Sequence, residues 1–258
     1  MGMSHQYVSF GGYNDDESLK VLTKAADLGI TLWDTSDIYG PFTNEQLIGR
    51  WFKETGRRDK IFLATKFGNR HVDGKSEIIR TPEYVKYALN QSLERLGTDR
   101  VELYYQHRVD SKTPIEKTVQ AMAELKSEGK IKYLGLSECS AQTLRRAHAI
   151  HPIAAAQMEF SPFALDIESD QTNFLASARE LGVKIVAYSP LGRGFLTGSI
   201  KSRDDFDKKD NRLNHPRFAA ENFDENLKLV EILESLAKEK NTTISQLTLA
   251  WVLAQGDG

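Results

Sequence analysis

The sequence predicts a parallel α/β fold, either a barrel or an open sheet, on two observations. Amphipathic helical stretches that stop at a glycine recur along the chain, and each leads within a few residues into a short apolar, β-branched run. Apolar strands alternating with helices imply parallel pairing, with both faces of the sheet covered.

The elements follow in order. DDESLKVLTKAADLG places Leu19, Leu22, Ala26 and Leu28 at helical spacing, ends at Gly29 and leads into ITLWDT. KIFLATK, after Gly56, is the next strand run. TPEYVKYALNQSLERLG opens with Thr81 as N-cap and Pro82 at the first helical position, and leads into RVELYYQH. TPIEKTVQAMAELKSEG repeats that opening at Thr113 and Pro114, stops at Gly129 and leads into KYLGLSE. SAQTLRRAHAI precedes IAAAQME, QTNFLASARELG precedes VKIVAYSP, and the helical patterns ENLKLVEILESLAKEK and TISQLTLAWVLAQG follow without a further strand. No composition break marks a linker, so residues 1–258 read as one domain. The polar segment 198–226, with its run KSRDDFDKKDNR, reads as a solvated surface loop in preference to a lid over a cofactor.

A chain of 258 residues buries a sizeable core. Its net charge of −2 gives no footprint for nucleic acid or an acidic membrane, and no apolar run is long enough to span a bilayer. One cysteine, Cys139, excludes an internal disulfide framework and fits a reducing compartment. MGMSHQYVSF lacks the basic and apolar regions of a secretory signal, so the expected location is cytoplasmic. Oligomeric state is left open.

Parallel α/β folds place ligands at the C-terminal ends of their strands. The residues there are Asp34, Lys66, His107, Ser137 with Glu138, Gln157, and Tyr188 with Ser189. Singly, each has an ordinary structural use, as an Asx turn, a snorkelling amine or a satisfied imidazole. Together they bring an acid, a base and an imidazole to successive strand ends, with Tyr39 five residues past the acid. A phenol is a poor proton donor at neutral pH, but an adjacent ammonium lowers its pKa, and a carboxylate keeps that ammonium charged and in place. An imidazole beside the phenol orients or polarises a carbonyl oxygen. Such a set suits proton donation to a carbonyl as hydride arrives, and therefore calls for a nicotinamide cofactor.

A dinucleotide fingerprint of the G-x-G-x-x-G type is absent. YSPLGRGFLTG contains Gly192 and Gly194 in a G-x-G pair, but the remaining spacing and the ribose-binding acid do not follow. The stretch reads better as a phosphate-binding loop late in a barrel, with glycines letting the backbone approach a pyrophosphate and Arg193 adding charge. Tyr188 is placed to stack on the nicotinamide ring. Tyr-x-x-x-Lys on one helix, as a short-chain dehydrogenase requires, is missing. A metal site is not expected: His148 and His151 have H-x-x-H spacing, but a proline follows and acids at ligand spacing are lacking.

From end to end the chain resembles the aldo-keto reductases. The most specific parts are DTSDIYGPFTNEQLIG at 34–49, ATKFG at 64–68, YYQHRVD at 104–110, GLSECS at 135–140 and YSPLGRGFLTG at 188–198. The resemblance implies a (β/α)8 TIM barrel that reduces aldehydes or ketones, small-molecule carbonyl substrates, with NADPH. It implies Tyr39 as general acid, with Asp34, Lys66 and His107 completing a tetrad. It further implies that Ser137 and Gln157 hold the nicotinamide carboxamide, that Tyr188 stacks on the ring, and that Ser189, Pro190, Leu191, Arg193 and Gly194 belong to the pyrophosphate loop. HPRF at 215–218 and the LSE variant at 136–138 are similar to the branch of pyridoxal reductases and perakine reductase-like enzymes. A non-catalytic NADPH sensor on the same barrel, like the potassium-channel β-subunits, is the alternative reading. Apolar side chains expected near the mouth, Trp33, Phe67, Phe160 and Phe163, favour an apolar or aromatic substrate.

Two departures from the family pattern are visible. Glu138 stands where the family usually has Asn, and the family's first strand is matched only by its last residues, Met1 to Ser4, while its eighth strand and 2′-phosphate loop have no counterpart before Gly258. The expectation is six of the eight barrel strands, an open sheet with two unpaired edges, in a truncated and unstable or inactive form or a fragment of a longer product. On that expectation the 258-residue chain binds NADPH weakly or not at all. Titration followed by nicotinamide fluorescence checks this, and sub-micromolar binding overturns it.

Overall fold

The computed structural model describes residues 3–4, 14–40, 42–72, 75–79 and 81–256. Within it the chain forms two compact units, the first mainly residues 14–156 and the second mainly 157–180 with 184–256. Of the expected strand remnant Met1 to Ser4, Met1 and Gly2 lie outside the described residues, and Met3 and Ser4 sit in a turn.

The first unit runs α1 (Asp15–Asp27), β1 (Leu32–Asp34), α2 (Thr43–Thr55), β2 (Phe62–Phe67), a hairpin of β3 (Asn69–Val72) and β4 (Lys75–Ile78), α3 (Pro82–Leu96), β5 (Val101–Gln106), α4 (Ile115–Ser127), β6 (Ile131–Ser137) and α5 (Ala141–Ile150). Strands β1, β2, β5 and β6 pair in that order, all parallel. The antiparallel β3–β4 hairpin was not expected from the sequence. β7 (Ala155–Glu159) begins in this unit, just after Ala154 donates its N–H to the Leu134 carbonyl at 2.8 Å.

Period two sorts the strand side chains. Trp33 packs on Trp51 of α2 with ring centroids 4.6 Å apart, Thr65 bonds Glu45 of α2, and the Tyr104 hydroxyl donates to the Val85 carbonyl of α3. These positions face the helices, and Phe67, stacked on Tyr104 at 4.7 Å, joins them. Asp34, Lys66, Tyr105 and Gly135 therefore share the opposite face, where Lys66, Tyr105 and Gly135 stand side by side in register. The expectation that Trp33 and Phe67 line a substrate mouth is thus corrected: both are buried core residues on the helix side.

Capping chemistry sets the helix starts. Asn14 accepts from the Glu17 N–H at the head of α1, and Thr81 accepts from Tyr84 N–H with Pro82 at the first position of α3. In α4 the expected repeat shifts by one: Pro114 itself occupies the cap position, in extended conformation, and the helix begins at Ile115. Leu28 caps α1 and is exposed rather than packed. Among the described residues no helix is long and apolar enough to cross a membrane.

The second unit carries the end of β7, α6 (Phe174–Glu180), β8 (Lys184–Tyr188), α7 (Ala220–Glu239) and α8 (Ile244–Leu253). Its core corrects part of the reading of 198–226 as a solvated loop: most charges of 201–209 are exposed, but the segment's large apolar residues are not. Ile200, Phe206, Phe218 and Phe223 from that segment join Phe195, Leu196, Val230, Leu233, Ala237 and Ile244 in one buried cluster. Phe218 lies edge-on to Phe195 and to Phe206, each at 5.6 Å. Asp210 and Arg212, within the charge-dense run, are also buried and pair bidentately, at 2.9 and 2.7 Å. Widely spaced aromatics carry the packing here, and no periodicity of two or 3.6 advertises them. Phe160 and Phe163, also expected at a mouth, pack against Trp251 and against Phe195 respectively. Phe218→Ala is expected to destabilise this unit by about 3–5 kcal/mol, read as a lower denaturant midpoint.

Candidate active site

The stretch after β1 stays on the neighbouring strand. Thr35 N–H donates to the Ala64 carbonyl at 2.9 Å and Asp37 N–H to the Lys66 carbonyl at 3.1 Å, so the β1–β2 ladder continues past Asp34. The chain then turns, with Tyr39 N–H on the Ser36 carbonyl and Asn44 N–H on the Tyr39 carbonyl. Tyr39 is held by backbone bonds on both sides.

Four groups meet behind this turn. The Lys66 ammonium, fully buried, donates to the Asp34 carboxylate, to the Thr35 carbonyl at 2.8 Å and to the Tyr39 hydroxyl at 3.4 Å. It also lies 4.9 Å from the centre of the Tyr39 ring. Burial pulls the Lys66 pKa down, but the Asp34 carboxylate and Tyr39, with their hydrogen bonds, outweigh it and hold the amine above its ordinary value. His107, placed by its N–H bond to the Phe67 carbonyl at 2.9 Å, sets its ring edge-on to Tyr39 at 5.9 Å. The expected Asp34, Tyr39, Lys66 and His107 are therefore brought together within the first unit.

The glycine loop is a feature of the second unit. Gly192, Arg193 and Gly194 take φ of 57, 58 and 93° in succession, a left-handed run that the two glycines adopt freely and Arg193 only against its steric preference. A Cβ on Gly192 would stand 3.1 Å from Leu196 and 3.2 Å from Phe163, and one on Gly194 3.2 Å from Arg212. Arg212 donates to the Arg193 carbonyl at 2.8 Å, tying the loop to the buried Asp210. Arg193 Nε is buried with no hydrogen-bond partner in the structure.

The model of the Aldo/keto reductase family matches residues 1–258. The chain belongs to the aldo/keto reductase family. Aldo-keto reductase str7 of Strobilurus tenacellus is 57% identical over 243 residues, covering 94% of this chain and 70% of that protein. Aldo-keto reductase yakc [NADP(+)] of Schizosaccharomyces pombe is 51% identical over 253 residues, covering 97% of this chain and 74% of that protein. The structure of the glycerol dehydrogenase AKR11B4 from Gluconobacter oxydans aligns with a TM-score of 0.87 at 31% identity, over 96% of this chain and 76% of that one.

Other expected residues of this aldo/keto reductase lie as follows. Ser137 ends β6, buried, and its hydroxyl accepts from Arg108 at 3.4 Å. Gln157 is buried in β7, and Tyr188 ends β8, in the second unit with Ser189, Pro190 and Leu191. Glu138, the departure from the family's Asn, takes φ of 52°, where Asn is better tolerated. Burial pushes the Cys139 thiol up to about 12, which removes it as a nucleophile. His148 and His151 serve the end of α5, the first taking the Ile153 N–H and the second contacting the Pro152 carbonyl.

Sequence reasoning missed the residues that support the tetrad. Gly135 has no room for a Cβ, which would lie 2.4 Å from the Tyr105 ring, and that ring sits 5.9 Å from the Lys66 amine. Asp37, read as a turn residue alone, is buried: loss of solvent, then the nearby Glu45, raises its pKa to about 7. An unfolded aspartate titrates near ~4, so the folded protein holds this proton more tightly. The contribution to stability is complete below ~4 and lost as pH rises through about 7. Asp37→Asn is therefore expected to flatten the decline in stability over that window, measured as urea midpoints of both proteins at several pH values.

Proposed function

We propose that the protein reduces a small aldehyde or ketone to the alcohol with NADPH. The observation that carries the reading is the buried Lys66 ammonium, held by Asp34 beside the Tyr39 hydroxyl. When bound, NADPH supplies the hydride. Tyr39 gives its phenolic proton to the carbonyl oxygen, and the Lys66 amine stabilises the phenolate that remains. Asp34 keeps that amine charged through the proton transfer. His107 orients the carbonyl oxygen beside the phenol.

The second unit's loop suits an anionic group. Its glycines allow the left-handed turn at 192 and 194, and the unpartnered Arg193 Nε is a donor suited to a phosphate oxygen. On this reading Ser189 to Gly194 hold the pyrophosphate, Ser137 and Gln157 the carboxamide, and Tyr188 the ring. NADP in preference to NAD is supported by the name of the fission-yeast relative. HPRF and the LSE variant support placement in the branch of pyridoxal reductase-like enzymes, and the family match supports one catalytic domain over 1–258.

The test follows NADPH absorbance with an aldehyde and cofactor in excess. Tyr39→Phe is expected to lower kcat by roughly 100-fold or more without unfolding the protein. Turnover unchanged by that substitution would overturn the proton-donor assignment.

A further inference from the structure

Beneath the tetrad lies a second polar chain that the reaction as described does not use. The Ser36 hydroxyl lies 3.1 Å from His107 Nδ1 and 3.1 Å from Asp37 Oδ1, with the Lys66 carbonyl a more distant acceptor at 3.4 Å. Ser36 and Asp37 are both buried, and the Ser36 hydroxyl also accepts from the Ile38 N–H at 3.4 Å. A serine has one proton to donate, so the protonation of Asp37 dictates how Ser36 addresses the imidazole.

We propose that Asp37, acting through the Ser36 hydroxyl, determines which ring nitrogen of His107 carries its proton, and is thereby a positioning residue for the tetrad. With Asp37 protonated, its O–H donates to Ser36, Ser36 donates to Nδ1, and the ring proton resides on Nε2. With Asp37 ionised, that carboxyl proton has gone to solvent. Ser36 then donates to the carboxylate and accepts from Nδ1–H, and Nε2 holds a lone pair. Only the first state offers a carbonyl oxygen a donor from Nε2.

The surroundings favour a switch in the neutral range. Asp37 is faced by Glu45 from α2, Arg95 from α3 and Tyr104 from β5, while its carboxyl is held up at about 7 by burial and by Glu45. Arg95, the one cation among these groups, is already engaged by Glu45 at 2.7 Å. His107 is faced by Tyr39 and by Arg108, whose guanidinium bonds the His107 carbonyl at 3.0 Å.

Imidazole nitrogen shifts, read by long-range proton–nitrogen correlation NMR on the intact chain, test this without turnover, with His107→Asn assigning the signals. The expected result is an exchange of the His107 proton from Nε2 to Nδ1 as pH rises through about 7. Asp37→Asn, whose amide donates to Ser36 and does not titrate, should hold the Nε2–H form throughout. Ser36→Ala should uncouple the ring from Asp37. An unchanging tautomer in the native protein, or an exchange that survives both substitutions, overturns the proposal.

A kinetic arm rests on the reductase reading. Carbonyl kcat/KM should fall about tenfold across the same transition, the worth of one hydrogen bond, and Asp37→Asn should abolish that fall with the KM for NADPH unmoved. If Tyr39→Phe leaves turnover intact, the reductase assignment fails. If Tyr39→Phe is inactive and Asp37→Asn keeps the native pH profile, the relay alone fails.

Discussion

The buried amine of Lys66 is the constraint on which the first unit depends. An ammonium with no solvent costs several kcal/mol unless a counter-ion and acceptors surround it. Here Asp34, the Thr35 carbonyl and the Tyr39 hydroxyl fill that role, and two of the three come from the stretch just past β1. Those residues reach the amine because the ladder with β2 continues through Thr35 and Asp37. The same bonds that satisfy the charge therefore fix the turn, and the turn fixes the phenol.

Support arrives from the helix side as well. Glu45 at the start of α2 is fully buried, and it takes the Thr65 hydroxyl at 2.6 Å and the Arg95 guanidinium at 2.7 Å. Arg95 also donates to Ser92 and lies 4.7 Å from the Phe42 ring. This arrangement clamps α2 and α3 to the strand that bears Lys66, one residue along from it. Removing either charged partner would strand the other, so the gain is in specifying one geometry more than in net stability. The second unit repeats the device at Asp210 and Arg212, which anchor the glycine loop through the Arg193 carbonyl.

Much of the fold and the whole tetrad were legible in the sequence, because strand ends in a parallel α/β chain are marked by the switch from apolar to polar residues. Asp34, Lys66 and His107 stand at such switches, and Tyr39 follows the first of them by five residues, in the turn just past the strand. What was illegible depended on which way a side chain faces. Trp33 and Phe67 were placed at a mouth by proximity to Asp34 and Lys66, yet adjacent strand residues point to opposite faces, so nearness in sequence argued the wrong way. In 198–226 the charges dominate the composition, while Phe206, Phe218 and the Asp210–Arg212 pair decide the packing. Charge density reports solvation for the exposed Asp204, Lys208 and Lys209, but not for Asp210 and Arg212, which are buried as a pair.

The two aspartates of DTSD show how closely placed residues of one type acquire different chemistry. Asp34 ends β1 on the face it shares with Lys66, so its carboxylate meets an ammonium at once. Asp37 is the third residue beyond, inside the turn, and its neighbours are a hydroxyl, a backbone N–H and another carboxylate, Glu45, whose own cation is already engaged. An acid buried near a second acid holds its proton more tightly than one in water. One stretch thus sets a carboxylate against Lys66 and a second carboxyl, by way of Ser36, toward His107. The difference comes from the direction in which a three-residue step carries the side chain, and not from any difference between the residues themselves.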